Sequence, residues 1–144
     1  MGNLKNVALP LLLAFSLLYL PFAEGDWFIN YHIHVTNDLS LLNSSAGKPN
    51  LFLYCKSKNK DLGDRAMVKG QDYTWDTKIN FLWTTLFFCN ARWEGHKNIT
   101  FDAFKAKRDE QRCLQYHHSC MWSVREDGIY FNKNNATWYN SYRW

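Results

Sequence analysis

The amino-acid sequence predicts an all-β protein, a small antiparallel β-sandwich of about seven strands stapled by two disulfides. Three observations predict it. Apolar residues recur at alternate positions through several segments, and no stretch carries a sustained 3.6-residue apolar stripe. Four cysteines, an even number, all follow an N-terminal segment with the features of an export signal.

Residues 1–25 read as that signal. Lys5 supplies a positive start, residues 7–20 are almost entirely apolar, and Pro21-Phe22 leads into the small-residue pattern Ala23-Glu24-Gly25. The apolar run is short for a span of about 20 residues, and no basic stop-transfer cluster follows it. Residues 26–144, roughly 119 residues, are then a single domain. No later stretch approaches membrane length, so the mature chain is expected outside the cell, without membrane insertion. A content of 47% hydrophobic and 17% aromatic residues is too high for a disordered chain. The formal net charge of +4 favours an acidic surface as partner and does not call for nucleic acid.

Tyr31, Ile33 and Val35 alternate with His32, His34 and Thr36, as in a half-buried strand that ends at Asn37-Asp38. Leu51, Leu53 and Cys55 alternate with Phe52, Tyr54 and Lys56, after the turn formers Gly47-Lys48-Pro49-Asn50. Residues 57–63 are polar and charged and read as a solvated loop. Residues 71–81 place Tyr73, Trp75, Thr77 and Ile79 at alternate positions, and residues 84–89 form a continuous run suited to a strand covered on both faces. After a turn at residues 93–96, residues 99–104 make a short strand. Residues 105–112 are charged and lack an apolar stripe, which reads as a loop. Residues 120–124 and 129–131 flank Asp127-Gly128, a hairpin signal because glycine accepts the positive φ of a type I′ turn.

In an oxidising compartment Cys55, Cys89, Cys113 and Cys120 make two disulfides, and three pairings are open. The expected pairing is Cys55–Cys120, joining two apolar strands across the core, with Cys89–Cys113 tying a strand to a loop. Zinc is the competing use. The gap between Cys113 and Cys120 lacks the CxxC form of a structural site, so no metal or cofactor is assigned. Three Asn-x-Ser/Thr sequons, at Asn43, Asn98 and Asn135, are candidate glycan acceptors.

Groups able to carry chemistry are sparse. His32 and His34 share one strand face, which suits an exposed polar surface unless a third metal ligand joins them. His117-His118, near Lys105, Lys107, Arg108 and Arg112, is the one constellation resembling a ribonuclease acid–base pair, without a second His-bearing motif to complete it. Disulfide formation removes the thiols as nucleophiles, and no Gly-x-Ser-x-Gly elbow exists. No catalytic residue is assigned, and the chain is expected to bind rather than to catalyse. Seven Trp, eight Tyr and ten Phe exceed what a small core can hold. Trp75, Trp83, Trp93 and Trp122 are expected in the core. The tail, residues 138–144, is expected as a last strand covering the sandwich, with an exposed aromatic platform as its functional alternative.

The strings His34-Val35-Thr36-Asn37-Asp38-Leu39, Tyr54-Cys55-Lys56-Ser57-Lys58-Asn59-Lys60-Asp61-Leu62-Gly63, Thr85-Leu86-Phe87-Phe88-Cys89, Cys120-Met121-Trp122 and Glu126-Asp127-Gly128-Ile129-Tyr130, in that order, resemble the plant self-incompatibility S-protein homologues. The resemblance runs from about Trp27 to Trp144. It implies a plant origin, a secreted β-sandwich and two disulfides, and it brings no accepted catalytic residues to carry over; with the sequons, a glycoprotein is expected. In the poppy representatives such proteins are pistil ligands acting through a membrane receptor, so the expected partner is a cell-surface protein. Residues 56–61 and 105–112, with Lys56, Lys58, Lys60, Lys105, Lys107 and Arg108, are the expected partner contacts, because a rigid scaffold leaves its loops to vary. An acidic cell-wall polysaccharide is the alternative partner, suggested by the aromatic tail and the positive charge.

Overall fold

Alternation becomes strand where it was expected. In β1 (Tyr31–Asn37) and β2 (Leu51–Lys56) every odd-numbered residue is buried and every even-numbered one is half-exposed. The computed structural model describes residues 29–41, 46–93, 95, 97–133 and 137–144. The expected signal segment and the sequons at Asn43 and Asn135 lie outside the described residues. Among those residues there are seven further strands: β3 (Asp61–Met67), β4 (Asp72–Thr77), β5 (Leu86–Trp93), β6 (Lys97–Lys105), β7 (Ser119–Arg125), β8 (Gly128–Lys133) and β9 (Thr137–Tyr142). A helix, α1 (Ala106–Leu114), separates β6 from β7.

Two sheets form the all-β sandwich, ordered β4-β1-β7-β8-β9 and β3-β2-β5-β6. All pairings are antiparallel except β1 with β7, which runs parallel from His32↔Ser119 to Asn37↔Val124. The core between the sheets is built on Trp122, Phe101, Phe104, Ile33, Leu51 and Leu53, each under 2% exposed. Trp122 also donates its indole N–H to the Ala103 carbonyl at 2.8 Å, so the largest core side chain leaves no buried donor unpaired and ties β7 to β6. Buried Asn37 bridges segments in the same way, donating to Asn50 Oδ1 at 2.6 Å and the Met67 carbonyl at 3.0 Å.

Five expectations are corrected. Residues 61–63, read as loop, begin β3, an edge strand whose exposed side chains give no alternation to read. Residues 106–112, also read as loop, are helical: Ala106, Asp109 and Cys113 form the buried face at helical spacing, with a carboxylate where an apolar residue would have signalled it. β5 is buried on one face only, and Phe88 on its outer face is half-exposed. Trp83, expected in the core, is 43% exposed. The disulfides are Cys55–Cys89 and Cys113–Cys120, not Cys55–Cys120 and Cys89–Cys113. The reason is topological. β2 and β7 lie in different sheets, whereas Cys89 on β5 stands directly opposite Cys55 with a Cα–Cα distance of 4.1 Å.

The β7–β8 hairpin forms as expected, for a different reason. Arg125 pairs with Gly128, leaving Glu126 and Asp127 as the loop, and neither has a positive φ. Gly128 itself has φ +151, and a Cβ there would stand 2.2 Å from the Tyr142 carbonyl oxygen. Glycine is required because β9 approaches the backbone. Gly128→Ala should therefore cost about 2–3 kcal/mol through backbone strain and displacement of β9. Urea unfolding measures this, and amide exchange should report the loss first at the β8–β9 end.

Candidate recognition surface

Three connections meet at one end of the sandwich. The β2–β3 turn occupies residues 57–60, where Ser57 N donates to the Lys60 carbonyl at 2.7 Å and Lys60 N donates to Ser57 Oγ at 3.1 Å. The β4–β5 loop occupies residues 78–85. The β6–α1 junction follows Lys105, which pairs with Leu86 at the start of β5. Ala106 N donates to the Thr85 carbonyl at 2.9 Å, and Trp83 Nε1 donates to Glu110 Oε2 at 2.9 Å, so loop and helix are fastened together. The two lysine-bearing segments singled out in the sequence thus lie at the same end, joined by a loop that had not been singled out.

The six expected contact residues are not equivalent there. Lys58, Lys60, Lys105 and Lys107 are exposed. Lys56 is half-buried, its ammonium 5.5 Å from the Phe88 ring and 5.9 Å from the Tyr54 ring. Arg108 is turned inward. It donates to Asp109, to the Asp102 carbonyl at 2.6 Å and to the Tyr142 hydroxyl at 3.1 Å. Three carboxylates at this end have internal partners: Asp76 meets His32, Glu110 accepts from Trp83, and Asp61 accepts from the Tyr54 hydroxyl and Gly63 N. The Tyr54 hydrogen bond, followed by that from Gly63, holds the Asp61 carboxyl below its usual range. Its anchoring of the turn is therefore present above ordinary carboxylate pH and is lost only as pH falls below that range.

The β4–β5 loop is the feature that sequence reasoning missed. Asn80 organises it: Asn80 Oδ1 accepts from Thr84 N at 2.8 Å, Nδ2 donates to Thr84 Oγ1 at 2.7 Å, and Asn80 N donates to Thr85 Oγ1 at 2.8 Å. Trp83 N closes the turn onto the Asn80 carbonyl at 3.1 Å. Trp83 has φ +53, a left-handed conformation that costs a bulky residue about 1–2 kcal/mol. The result holds Phe81 71% exposed and Leu82 70% exposed. A signal was present in the sequence: Asn80 and the Thr84-Thr85 pair bracket an apolar triplet too short for a strand. Between this loop and the β2–β3 turn lies a cleft of about 510 Å³. Leu86, Phe87 and Phe88 contribute apolar surface to it, and Lys58, Lys60 and Lys78 line it.

Other sequence candidates fall elsewhere. His32 and His34 do share the outer face of β1, but each engages its own carboxylate on β4: His32 Nδ1 lies 2.6 Å from Asp76 and His34 Nδ1 lies 2.7 Å from Asp72. His117 and His118 both have positive φ in the turn before β7, and His118 meets Tyr31 edge-on at 5.9 Å. Asp109, Cys113 and Cys120 place one ligand-type atom each within 4.8 Å of one another. The sulfurs are bonded to each other and the carboxylate is held by two arginines, so this is not a donor set for an ion. Asn98 is exposed on edge strand β6, accepting from Asn90 Nδ2 at 2.5 Å. The tail is absorbed only in part: Tyr142 and Trp144 pack against the core, while Trp138 lies half-exposed on the outer face. Tyr142 lies against Phe101 and Trp122, Trp144 against Trp93, and Trp138 under Arg125, leaving Tyr139 exposed. It offers no continuous aromatic platform. Among the described residues no helix is long and apolar enough to cross a membrane.

Comparison with known proteins gives one consistent result. The family described as plant self-incompatibility protein S1 matches residues 32–144. The chain is 38% identical over 97 residues to S-protein homolog 18 of Arabidopsis thaliana, covering 67% of this chain and 69% of that protein. It is 41% identical over 80 residues to S-protein homolog 6 of the same plant, 56% of each chain. It is 27% identical over 103 residues to Self-incompatibility protein S1 of Papaver rhoeas, 70% of this chain and 72% of that protein. With S-protein homolog 6 the match therefore spans little more than half of the relative's length. No solved structure matches the chain.

Proposed function

The chain belongs to the plant self-incompatibility protein S1 family, and from that premise we propose that it is a secreted recognition ligand for a protein on a plant cell surface. The observation that carries this reading is the end of the sandwich just described, where two exposed lysine segments and an ordered apolar loop are held on a disulfide-stapled frame. A frame of this kind suits recognition, because little loop entropy is lost when a preformed surface docks. Export supports the same reading. The N-terminal segment has the order of a signal peptide, and both cysteine pairs are joined as an oxidising destination would leave them.

Residues 26–144, secreted from plant cells with a fluorescent tag, test the proposal. Saturable binding to protoplasts is expected, displaced by unlabelled protein and abolished when the cells are first treated with protease. Binding that rises linearly with concentration, or that survives protease, rules out a protein receptor. Binding that vanishes on raising salt to about 0.3 M would reduce it to weak electrostatics.

A further inference from the structure

Taking the chain as a ligand for a surface protein, we propose that the partner is gripped in the cleft between the β2–β3 turn and the β4–β5 loop. The occupant is an extended acidic peptide segment bearing a bulky apolar side chain that covers Leu86 and Phe88, while Phe81 and Leu82, exposed on the flanking β4–β5 loop outside the cleft lining, give it a second apolar contact.

Phe81 and Leu82 are the most exposed large hydrophobic residues among those described. Scattered apolar residues on a surface need no explanation, but two adjacent ones at about 70% exposure on a hydrogen-bonded loop mark an interaction site. Asn80 and the Glu110–Trp83 bond already fix the loop, so docking has little left to order there. Aromatic anchors on rigid supports are the residues that dominate protein interfaces.

The chemistry of the occupant follows from the walls. Lys58, Lys60 and Lys78 line the cleft, Lys105 stands beside Leu86 at its margin, and no carboxylate among the described residues lines it. Asp61 lines the adjoining hollow on the other side of the β2–β3 turn, held by the Tyr54 hydroxyl and Gly63 N. Potentials of one sign in a concave site attract and orient the opposite sign. Leu86, itself 36% exposed, and Phe88 add apolar surface that an acidic segment could cover only with an apolar side chain of its own. A membrane fits less well. The lysines line a hollow of about 510 Å³, which a flat bilayer surface would not fill.

The probe is a fluorescein-labelled glutamate peptide with a central leucine pair, compared with its glutamine analogue and with phosphatidylserine–phosphatidylcholine vesicles. Residues 26–144 should bind the glutamate peptide saturably and the glutamine analogue at least about tenfold more weakly. Phe81→Ser/Leu82→Ser and Lys58→Glu/Lys60→Glu should each weaken peptide binding by about tenfold or more, with near-UV circular dichroism unchanged. No peptide binding, or binding that ignores both double variants, overturns the proposal. So does vesicle binding that depends on Phe81 and Leu82 without peptide binding, which assigns the tip to lipid. Dimerisation in sedimentation that both variants abolish assigns the cleft to a second copy and overturns it equally. Protoplast binding separates the two levels. If wild type and both variants bind cells alike, this site is wrong and the ligand reading stands. If the peptide binds as expected and wild type never binds cells, the cleft stands and the ligand reading falls.

Discussion

Asp109→Ala is expected to remove about 3–5 kcal/mol of stability, the usual result of stripping one partner from a buried ion network. Asp109 is 0% exposed, on the inner face of α1. Its Oδ2 accepts from Lys105 N at 2.7 Å and Arg108 Nη2 at 2.9 Å, and its Oδ1 accepts from Arg108 Nε at 3.0 Å and Arg112 Nε at 2.6 Å. Both guanidiniums rest on core aromatics, Arg112 3.6 Å above the Phe131 ring and 5.4 Å from Trp122, Arg108 5.6 Å from Trp122. Burial works against the charge on each. For Arg108 the hydrogen bonds and charge of Asp109 more than offset it, raising the group above its ordinary value, whereas for Arg112 burial prevails and the value is lowered. Removing the carboxylate leaves two half-buried cations facing each other, and an N–H at the start of α1 without its acceptor. Against a total stability of roughly 5–15 kcal/mol, that loss threatens the fold. Urea unfolding of Asp109→Ala measures it. Asp109→Leu combined with Arg108→Met and Arg112→Met should recover most of it, because no charge is then stranded. A cost below about 1 kcal/mol for Asp109→Ala would mean that the network contributes little.

The same residue explains why α1 could not be read. A helix announces itself through apolar residues three and four apart, and here the spacing is present but its middle member is an aspartate neutralised from both sides. β3 escaped for a related reason. As an edge strand it buries little beyond Met67, so its polar sequence and a loop's are indistinguishable by alternation. β1 and β2 were legible because each buries one complete face against the other sheet. The all-β sandwich therefore followed from composition and period, while the parallel β1–β7 pairing and the strand order did not, since both depend on contacts between distant segments.

The candidate site was legible in pieces only. The lysines of residues 56–61 and 105–112 stood out as charge, but their placement at one end depends on the Leu86↔Lys105 register, which no local pattern encodes. The run from Phe81 to Cys89 reads as one apolar block. Composition cannot tell that Phe81 and Leu82 face water while Phe87 and Cys89 are buried. That division is made by Asn80 and the threonines, polar residues whose hydrogen bonds turn the chain before β5 begins.

Replacing Cys55 and Cys89 together by alanine should cost about 4 kcal/mol, and replacing Cys113 and Cys120 about 2 kcal/mol, in the chain-entropy account of cross-links. The asymmetry comes from loop length. Cys55–Cys89 spans 34 residues and Cys113–Cys120 spans 7. Position strengthens the contrast. Cys55 and Cys89 are fully buried in the β2–β5 pair, one register step from its end and on the same face as Leu53 and Ala91, so truncation there also opens a void in the core. Cys113–Cys120 instead fastens the end of α1 to the start of β7, and its loss should loosen that corner while the two sheets stay together. Denaturant unfolding of the two double variants gives the order, and peptide mapping of the unreduced protein checks the pairing beneath it. Equal costs would show that loop closure is not the dominant contribution. Peptides linking Cys55 to Cys120 would remove the premise, because here Cys55 is bonded to its register partner Cys89 and Cys120 to Cys113.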